Sequence, residues 1–238
     1  MKRGMFIVWG IVAVLTSRAQ QGNDLDLPRV VLKKDIPFTF SEPNFHHSVG
    51  GRKIKERTKV TMEYDDTYLT ISFECLDDPY VGHNRITEDN KMLAAQEAFE
   101  IFISKGPSAS EQYLEIQINP NGAVFFGRVT YRYKTDRDYK CEKIDPEVSG
   151  IVRKVTRDIG NNKWSGDLKL PLKLLDYPAN ESGNVYRFNL YRIIQNHKPK
   201  GEQWRCTFDS ATFACWNSTM TQIPQFHVPD RFGILVLN

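Results

Sequence analysis

A stretch of strict two-residue alternation constrains this chain more than any other feature of its sequence. In residues 58–75, "TKVTMEYDDTYLTISFEC", apolar and polar side chains alternate on both sides of Asp65-Asp66. A period of two places successive side chains on opposite faces of a β-strand, and paired acidic residues between such runs are typical of a turn. The segment therefore predicts a β-hairpin with one buried face, and it puts Cys75 on that face as a small core residue.

Further strands are predicted along the rest of the chain. Period-two or strand-like apolar runs recur in "AFEIFI" (98–103), "YLEIQI" (113–118), "AVFFGRVTY" (123–131), "KWSGDLKL" (163–170), "VYRFNLYRII" (185–194) and "FGILVLN" (232–238). Helical periodicity is weak and is limited to one or two turns in 88–99 and 171–177. Many short strands separated by turn signals predict an all-β chain that folds as an antiparallel β-sandwich of Greek-key or jelly-roll type.

The first 19 residues have the order of a secretory signal peptide. The charged start "MKR" precedes the apolar run "MFIVWGIVAVL", and the small residues Ser17 and Ala19 follow it. The run is too short to span a bilayer, and no later segment is apolar for long enough to do so. We therefore expect an exported protein, secreted or periplasmic, that begins at or near Gln20 and forms a single domain over residues 20–238.

The formal net charge of +3 comes from the predicted leader. Lys2, Arg3 and Arg18 are the charged residues of that leader, so the rest of the chain is formally neutral. Nucleic-acid binding depends on basic surface that neutralises phosphates. The charge balance therefore argues against a nucleic-acid partner.

Four cysteines follow the predicted leader, and an exported protein can oxidise them. They allow three pairings, and none has the C-x-x-C spacing of a zinc or thioredoxin-like site. Cys206 and Cys215 are close in the sequence, so they are the two expected to pair if any do. Cys75 is expected to stay reduced. The fourth cysteine is Cys141.

Catalytic and metal-binding signatures are absent from the sequence. The chain lacks the G-x-S-x-G, H-E-x-x-H and glycine-rich nucleotide motifs. Asp and Glu are plentiful, so an acid pair of the kind that hydrolyses glycosidic bonds stays open. His46-His47 has no third ligand at matching spacing, and Asp65-Asp66 and Asp77-Asp78 fall in no calcium loop. No cofactor is predicted, although a structural calcium ion stays open.

Three tryptophans follow the leader. Trp164 opens an amphipathic strand and is predicted to be a core residue. Trp204 and Trp216 lie in polar, turn-like segments, where a ring either stacks on a sugar or closes the end of the sandwich. His227 has no accompanying nucleophile and is interpreted as a packing residue. The proline of "FHVPDRFG", Pro229, and Gly233 are expected to set the bend before the last strand.

Taken in order, five segments resemble the family 9 carbohydrate-binding modules, which are DOMON-related β-sandwiches. The segments are "TKVTMEYDDTYLTISFECLDD", "AFEIFI", "YLEIQINPNG", "KWSGDLKLPLKLL" and "FHVPDRFGILVLN". The resemblance spans residues 27–238. It implies a sandwich that binds poly- or oligosaccharide without cleaving it. Such modules usually occur in secreted systems that degrade xylan or cellulose, which implies a part in carbohydrate catabolism.

The resemblance also implies site residues. Glu100 matches the carboxylate that hydrogen-bonds sugar hydroxyls, Trp216 matches a tryptophan that forms one wall of the sugar slot, and Trp164 matches a tryptophan taken to be structural. Binding members have a second wall tryptophan six residues before the carboxylate, but here that residue is Ala94. Trp204 is then the candidate for the second wall.

Several functions remain open from the sequence. The leading hypothesis is a secreted, non-catalytic carbohydrate-binding protein. Ala94 favours an alternative, a scaffold or interaction domain with a decayed sugar site. A further alternative is an unrecognised glycoside hydrolase. A haem-binding sandwich is disfavoured because Met62 and Met220 have no clear histidine partner.

Overall fold

The computed structural model describes residues 27–42, 44–131, 139–178 and 183–238. The predicted signal peptide lies outside these residues. The strands within them are β1 (Arg29–Leu32), β2 (Phe38–Thr39), β3 (His46–His47), β4 (Thr58–Tyr64), β5 (Tyr68–Cys75), β6 (Ala98–Lys105), β7 (Gln112–Ile118), β8 (Val124–Tyr131), β9 (Tyr139–Lys143), β10 (Val152–Asp158), β11 (Lys163–Pro171), β12 (Val185–Gln195), β13 (Ala211–Cys215) and β14 (Gly233–Leu237).

Two sheets pack face to face, so the predicted all-β sandwich is confirmed. The nine-stranded sheet has the order β1-β14-β12-β6-β7-β8-β9, with β13 on β12 and β3 on β13. The five-stranded sheet has the order β10-β11-β5-β4-β2. Strand pairing is antiparallel except that β1 runs parallel to β14, a departure from a purely antiparallel sandwich.

The predicted hairpin forms as β4 and β5, which pair from Thr58↔Cys75 to Tyr64↔Leu69. The turn is closed by Asp65, whose Oδ1 accepts hydrogen bonds from the backbone N–H groups of Thr67 (2.6 Å) and Tyr68 (2.7 Å). These bonds favour the ionised carboxylate and lower the pKa of Asp65. Turn chemistry therefore explains the acidic pair, as the sequence indicated.

Six strands were not predicted: β1, β2, β3, β9, β10 and β13. β2 and β3 have only two residues each, which is too short for a periodic pattern. β10, "VRKVTRD", is mostly exposed on both faces and forms through its seven-residue pairing with β11. Its conformation is set by its neighbour in the sheet rather than by an apolar face of its own.

Helical structure is confined to short turns. The two segments predicted to be helical each form a single 3-10 turn, at Leu93–Ala95 and Leu172–Leu175. The one short α-helix in the described residues, α1 (Pro146–Ser149), was not predicted. It is capped by the Asp145 side chain and ended by Gly150 at φ 85°. None of the described helices is long and apolar enough to cross a membrane.

Aromatic rings join the two sheets across the core. Phe73 of β5 stacks on Phe99 of β6 with ring centroids 4.2 Å apart. Trp164 of β11 packs edge-on to Phe73 at 5.1 Å and is fully buried, which confirms its predicted core position. Gly166 leaves room for the Phe73 ring, because a Cβ at position 166 would lie 2.7 Å from Phe73 Cζ. Cys75 is buried in the same core as predicted, and burial raises the pKa of its thiol to about 12.

Candidate functional site

The candidate site lies on the outer face of the nine-stranded sheet, where β6 and β7 run side by side. Phe99, Ile101 and Ile103 of β6 face the core. Glu100 and Phe102 therefore point to the opposite face. Glu100 pairs in register with Gln117, and Phe102 pairs with Glu115. This register brings two carboxyl groups and one amide together on a single face.

Glu100 is buried without a described partner for one of its oxygens. The residue is 1% exposed, and Oε1 has no hydrogen-bond partner. Burial, followed by the repulsion of Glu115, raises the pKa of Glu100 well above its ordinary value. A buried oxygen that makes no hydrogen bond costs free energy, which marks Glu100 as a functional candidate.

Glu115 and Gln117 are linked directly. The Gln117 side-chain amide donates a 2.6 Å hydrogen bond to Glu115 Oε1. Glu115 is 5% exposed, and burial raises its pKa to about 7, against the opposing effect of the Gln117 hydrogen bond. Near neutral pH the two carboxyl groups therefore present both O–H donors and acceptor oxygens, as recognition of sugar hydroxyls requires.

A tyrosine and a histidine form one rim of the site. The Tyr139 ring of β9 stacks on the His227 ring at 4.1 Å and remains 40% exposed. Burial raises the pKa of Tyr139, and the charges of Glu115, Cys141 and Glu100 add to the shift. The strand register places Tyr139 on the same face of the sheet as Glu115, so it presents a partly free aromatic ring on the face that carries the acids.

His227 has the packing role that the sequence indicated. Tyr113 and His227 share a 2.6 Å hydrogen bond between the Tyr113 hydroxyl and His227 Nδ1. Burial lowers the pKa of His227 to about 4, so the ring is neutral at physiological pH. The half-buried ring packs against Tyr139 and Phe102 and supports them, rather than acting as an acid–base group.

The other rim is the cover segment, Leu93–Glu97. The backbone N–H of Ala94 donates a 3.1 Å hydrogen bond to Gln117 Oε1, and Ala94 packs against the apolar cluster of the outer face. Position 94 therefore does lie beside Glu100 and Gln117, as the resemblance implied. Because residue 94 is an alanine, this segment packs against the site through its backbone and presents no aromatic ring to it.

Trp216 does not share a surface with Glu100. Its ring packs edge-on to Phe40 at 5.5 Å and against Phe188 at 4.7 Å, and both of these belong to the inner core. A Cβ at Gly233 would lie 2.4 Å from the Trp216 ring, so glycine is required beneath it. The expectation that Trp216 forms a wall beside Glu100 is not met, because the chain turns the residue inward after β13.

Trp204 is on the correct side of the sheet but offers no free ring. It is 7% exposed, its indole N–H donates to the His83 carbonyl (2.8 Å), and its own carbonyl accepts from the Gln96 amide (3.2 Å). The Gln96–Trp204 hydrogen bond links the 204–206 segment to the cover segment. Trp204 therefore supports the cover of the site, and no described contact joins it to Glu100.

The expected Cys206–Cys215 disulfide is absent, and all four cysteines are free. Cys206 Sγ lies 3.5 Å from Gln195 Oε1 of β12, whereas Cys215 of β13 pairs in register with Tyr191 of β12. Tyr191 and Gln195 are about 13 Å apart along the strand, so the two cysteines contact different parts of β12. Closeness in sequence failed as a guide because β13 carries Cys215 away from Cys206.

His46-His47 forms β3 and pairs with β13, so it is not the loop pair that the sequence indicated. His47 Nδ1 accepts a hydrogen bond from the Val49 backbone N–H at 3.0 Å. Within the described ranges no group of three or more His, Cys, Asp or Glu side chains is placed to hold a metal ion.

Three residues of the site were missed from the sequence: Glu115, Gln117 and Tyr139. For Glu115 and Gln117 a signal was present, because both fall on the polar face of the "YLEIQI" alternation. Pairing that face with Glu100 on the preceding strand would have found them. Tyr139 gave no signal, because it follows a polar segment. Only the β8–β9 pairing places it on the same face of the sheet as the acids.

Comparisons with known proteins agree with this architecture. No protein-family profile matches the chain. A protein of Arthroderma benhamiae named as an extracellular protein is 24% identical over 197 residues, covering 81% of this chain and 84% of that protein.

Solved structures show the same fold. A candidate carbohydrate-binding protein from Bacteroides uniformis superposes with a TM-score of 0.61 at 13% identity, covering 89% of this chain and all of that one. A family 9 carbohydrate-binding module from Caldicellulosiruptor kristjanssonii gives TM-scores of 0.51 in complex with glucose and 0.52 with cellotriose. Both matches are 13% identical and cover 89% of this chain and 96% and 94% of those chains. The chain therefore has the fold of the family 9 carbohydrate-binding modules.

Proposed function

We propose that this protein binds carbohydrate, without cleaving it, at the outer face of the nine-stranded sheet. The observation that carries the proposal is Glu100, a buried carboxyl group with one oxygen that has no partner. It sits beside Glu115 and Gln117. A sugar hydroxyl supplies the missing donor, and adjacent hydroxyls match the alternating donors and acceptors of the three side chains.

Tyr139 supplies the apolar part of the proposed site. Its partly exposed ring lies on the same face of the sheet as the acids and is held in place by His227. Aromatic faces suit the apolar C–H surfaces of sugar rings. One wall of this kind, without a facing tryptophan, supports weaker binding than a slot between two rings. We therefore expect the protein to bind one end or one unit of a sugar chain.

The solved structures and the named relative support the rest of the proposal. The Caldicellulosiruptor modules of the same fold hold glucose and cellotriose, so these sugars are the first ligands to try. The Arthroderma protein is named as extracellular, which agrees with the signal peptide read from residues 1–19. We propose an exported protein that takes part in carbohydrate catabolism by binding polysaccharide or oligosaccharide, with no nucleic-acid partner.

A second candidate, an interaction domain with a decayed sugar site, is favoured by the cover segment. Ala94 stands where a wall residue is expected, and its backbone is hydrogen-bonded onto Gln117. If the cover segment never moves away from the site, the acids are buried remnants of an ancestral site. The buried pair of carboxyl groups also keeps glycosidic hydrolysis as an alternative, which the assay below tests directly.

Titration calorimetry with glucose, cellotriose and longer cello-oligosaccharides tests the proposal. The wild-type protein is expected to bind at least one of them without releasing reducing sugar. Glu100→Gln and Tyr139→Ala are each expected to weaken binding about tenfold, equivalent to about 1.4 kcal/mol. Glu74→Gln, on the outer face of the other sheet, is the matched control and is expected to change nothing.

Three results contradict the proposal. No heat with a panel of soluble and insoluble glycans selects the decayed-site alternative. Equal affinity for the wild type and both variants removes the binding from this face. Reducing-sugar release that disappears in Glu100→Gln assigns the acids to hydrolysis instead.

A further inference from the structure

A second set of buried acids lies between the sheets, beside the candidate site. Asp78 follows β5, Glu97 precedes β6 and Arg192 lies on β12, and all three residues are fully buried. Arg192 provides the positive charge of this group. Its guanidinium also donates to the carbonyls of Arg57 (2.9 Å) and Leu76 (3.0 Å).

Asp78 pairs with the Arg192 guanidinium and with the Trp164 indole. Its Oδ2 accepts hydrogen bonds from Arg192 Nη2 at 3.3 Å and from the Trp164 indole N–H at 3.2 Å. Its other oxygen, Oδ1, is buried and accepts no N–H or hydroxyl hydrogen bond. A buried carboxylate oxygen without a donor is costly, so a proton donor is required beside it.

The titratable group beside Asp78 is another carboxyl. Asp78 lies within hydrogen-bonding reach of Glu97. The two Glu97 oxygens already accept, Oε1 from the Gln195 backbone N–H at 3.0 Å and Oε2 from the Asn84 amide at 2.7 Å. If both acids were ionised, one guanidinium would face two buried negative charges. A proton on Glu97 removes that excess charge and supplies the donor that Asp78 lacks.

Glu97 is also the last residue of the cover segment. Its backbone N–H donates to Asn84 Oδ1 at 3.2 Å, and the Gln96 amide binds the Trp204 carbonyl. Three residues earlier, Ala94 binds Gln117. The charge state of Glu97 therefore acts at the point where the cover segment is fastened to β6 and β12.

We propose that Glu97 carries a proton that it shares with Asp78, and that this proton locks the cover segment over Glu100 and Gln117. Loss of the proton places a second negative charge in the cluster and releases the segment. The role of the lock in ligand access rests on the proposed carbohydrate-binding function, but the lock itself is a property of the ligand-free protein.

The other titratable groups around Glu97 do not compensate its charge. The thiols of Cys75 and Cys206 face the cluster, and burial raises the pKa of each, so both are neutral. Burial first and Asp78 second raise the pKa of Glu97 well above its ordinary value. The folded protein therefore holds a proton that the unfolded chain releases above about pH 4.5, and stability must fall as pH rises through that range.

The test compares Glu97→Gln with Asp78→Asn by thermal unfolding at neutral pH. Gln keeps a neutral donor toward Asp78 but gives up one of the two hydrogen bonds that Glu97 accepts, so Glu97→Gln is expected to lower the melting temperature by about 3–6 °C. Asp78→Asn leaves Arg192 without its counter-charge and is expected to lower it by about 10 °C. Equal losses for the two variants, or a larger loss for Glu97→Gln, would show that Glu97 is ionised and overturn the proposal.

Hydrogen–deuterium exchange across pH tests the release of the segment. After correction for intrinsic rates, amides of the cover segment in the wild type are expected to lose protection as pH rises, whereas those of Glu97→Gln are not. Glu88→Gln is the matched control, because Glu88 is exposed and pairs with Lys91 just before the cover segment. A pH response identical in wild type and Glu97→Gln contradicts the lock. Neither readout needs a sugar, so a failed lock is distinguishable from a failed binding function.

Discussion

The two outer faces of the sandwich carry similar polar residues in opposite states. On the nine-stranded sheet, Glu100, Glu115 and Gln117 lie beneath loops and aromatic rings. On the five-stranded sheet, Ser72 and Glu74 occupy equivalent alternating positions of β5 but line an open groove of about 530 Å³. The same period-two pattern in the sequence therefore produces a covered face and an open one.

On the open face, polar side chains are satisfied by one another. Ser72 donates to Asp167 at 2.7 Å, Thr39 and Thr61 share a 3.0 Å bond, and Lys59 pairs with Glu74 at 3.5 Å. Water reaches all of these groups. On the covered face Glu100 has an oxygen with no partner. The two faces therefore differ in whether their polar groups find partners, rather than in how many polar groups they carry.

The largest expected difference between the faces is in packing. Phe102→Ala on the covered face removes a ring that contacts Tyr113, Tyr191 and Phe232, and it should lower the free energy of unfolding by about 3–5 kcal/mol. Thr61→Ala on the open face is the control and should cost less than about 1 kcal/mol. Urea unfolding measures both. Similar losses would mean that the apolar cover contributes little to the fold.

Trp216 belongs to neither face, and its substitution separates stability from binding. Trp216→Ala leaves a cavity beside Phe40 and Phe188 and should lower the free energy of unfolding by about 2–4 kcal/mol. Sugar affinity should stay unchanged, in contrast to Tyr139→Ala. Calorimetry and urea unfolding on both variants check this. Lost affinity with intact stability in Trp216→Ala would return the ring to the sugar site.

Glu115 gives the covered face its pH dependence. Its pKa is raised to about 7, so in the fold it holds a proton that the unfolded chain loses above about pH 4.5. Stability should therefore fall by about 2–3 kcal/mol as pH rises from 5 to 7, and this part of the fall should disappear in Glu115→Gln. Urea unfolding at several pH values tests it. Parallel pH profiles for the two proteins would place the ionised carboxylate in the native state.

The smallest effect is expected from the ion pair of the open face. Lys59 and Glu74 are each about half exposed, and such pairs contribute roughly 0–1 kcal/mol. Lys59→Ala should change the free energy of unfolding by less than about 1 kcal/mol at low salt and by less still at high salt. A loss as large as that of Phe102→Ala would erase the contrast between the faces.

The sequence was sufficient where the residues of an element themselves carry the pattern that predicts it. The β4–β5 hairpin, the core position of Trp164 and the packing role of His227 follow from alternation and local chemistry. It was insufficient where a neighbouring strand or segment determines the position of a residue. β10 forms because β11 pairs with it, Trp216 turns inward because of where β13 ends, and Tyr139 joins the face of Glu115 only through β8. Glu100 was identified through family resemblance, but its burial depends on contacts between residues that are distant in the sequence.

The parallel pairing of β1 with β14 has a consequence for synthesis. Arg29–Leu32 align with Ile234–Leu237, residues about 200 positions apart, and contacts of such long sequence separation slow folding. The edge of the nine-stranded sheet cannot be completed until Ile234–Leu237 have left the ribosome. We therefore expect β1 to wait for its partner while most of the other strands are already paired.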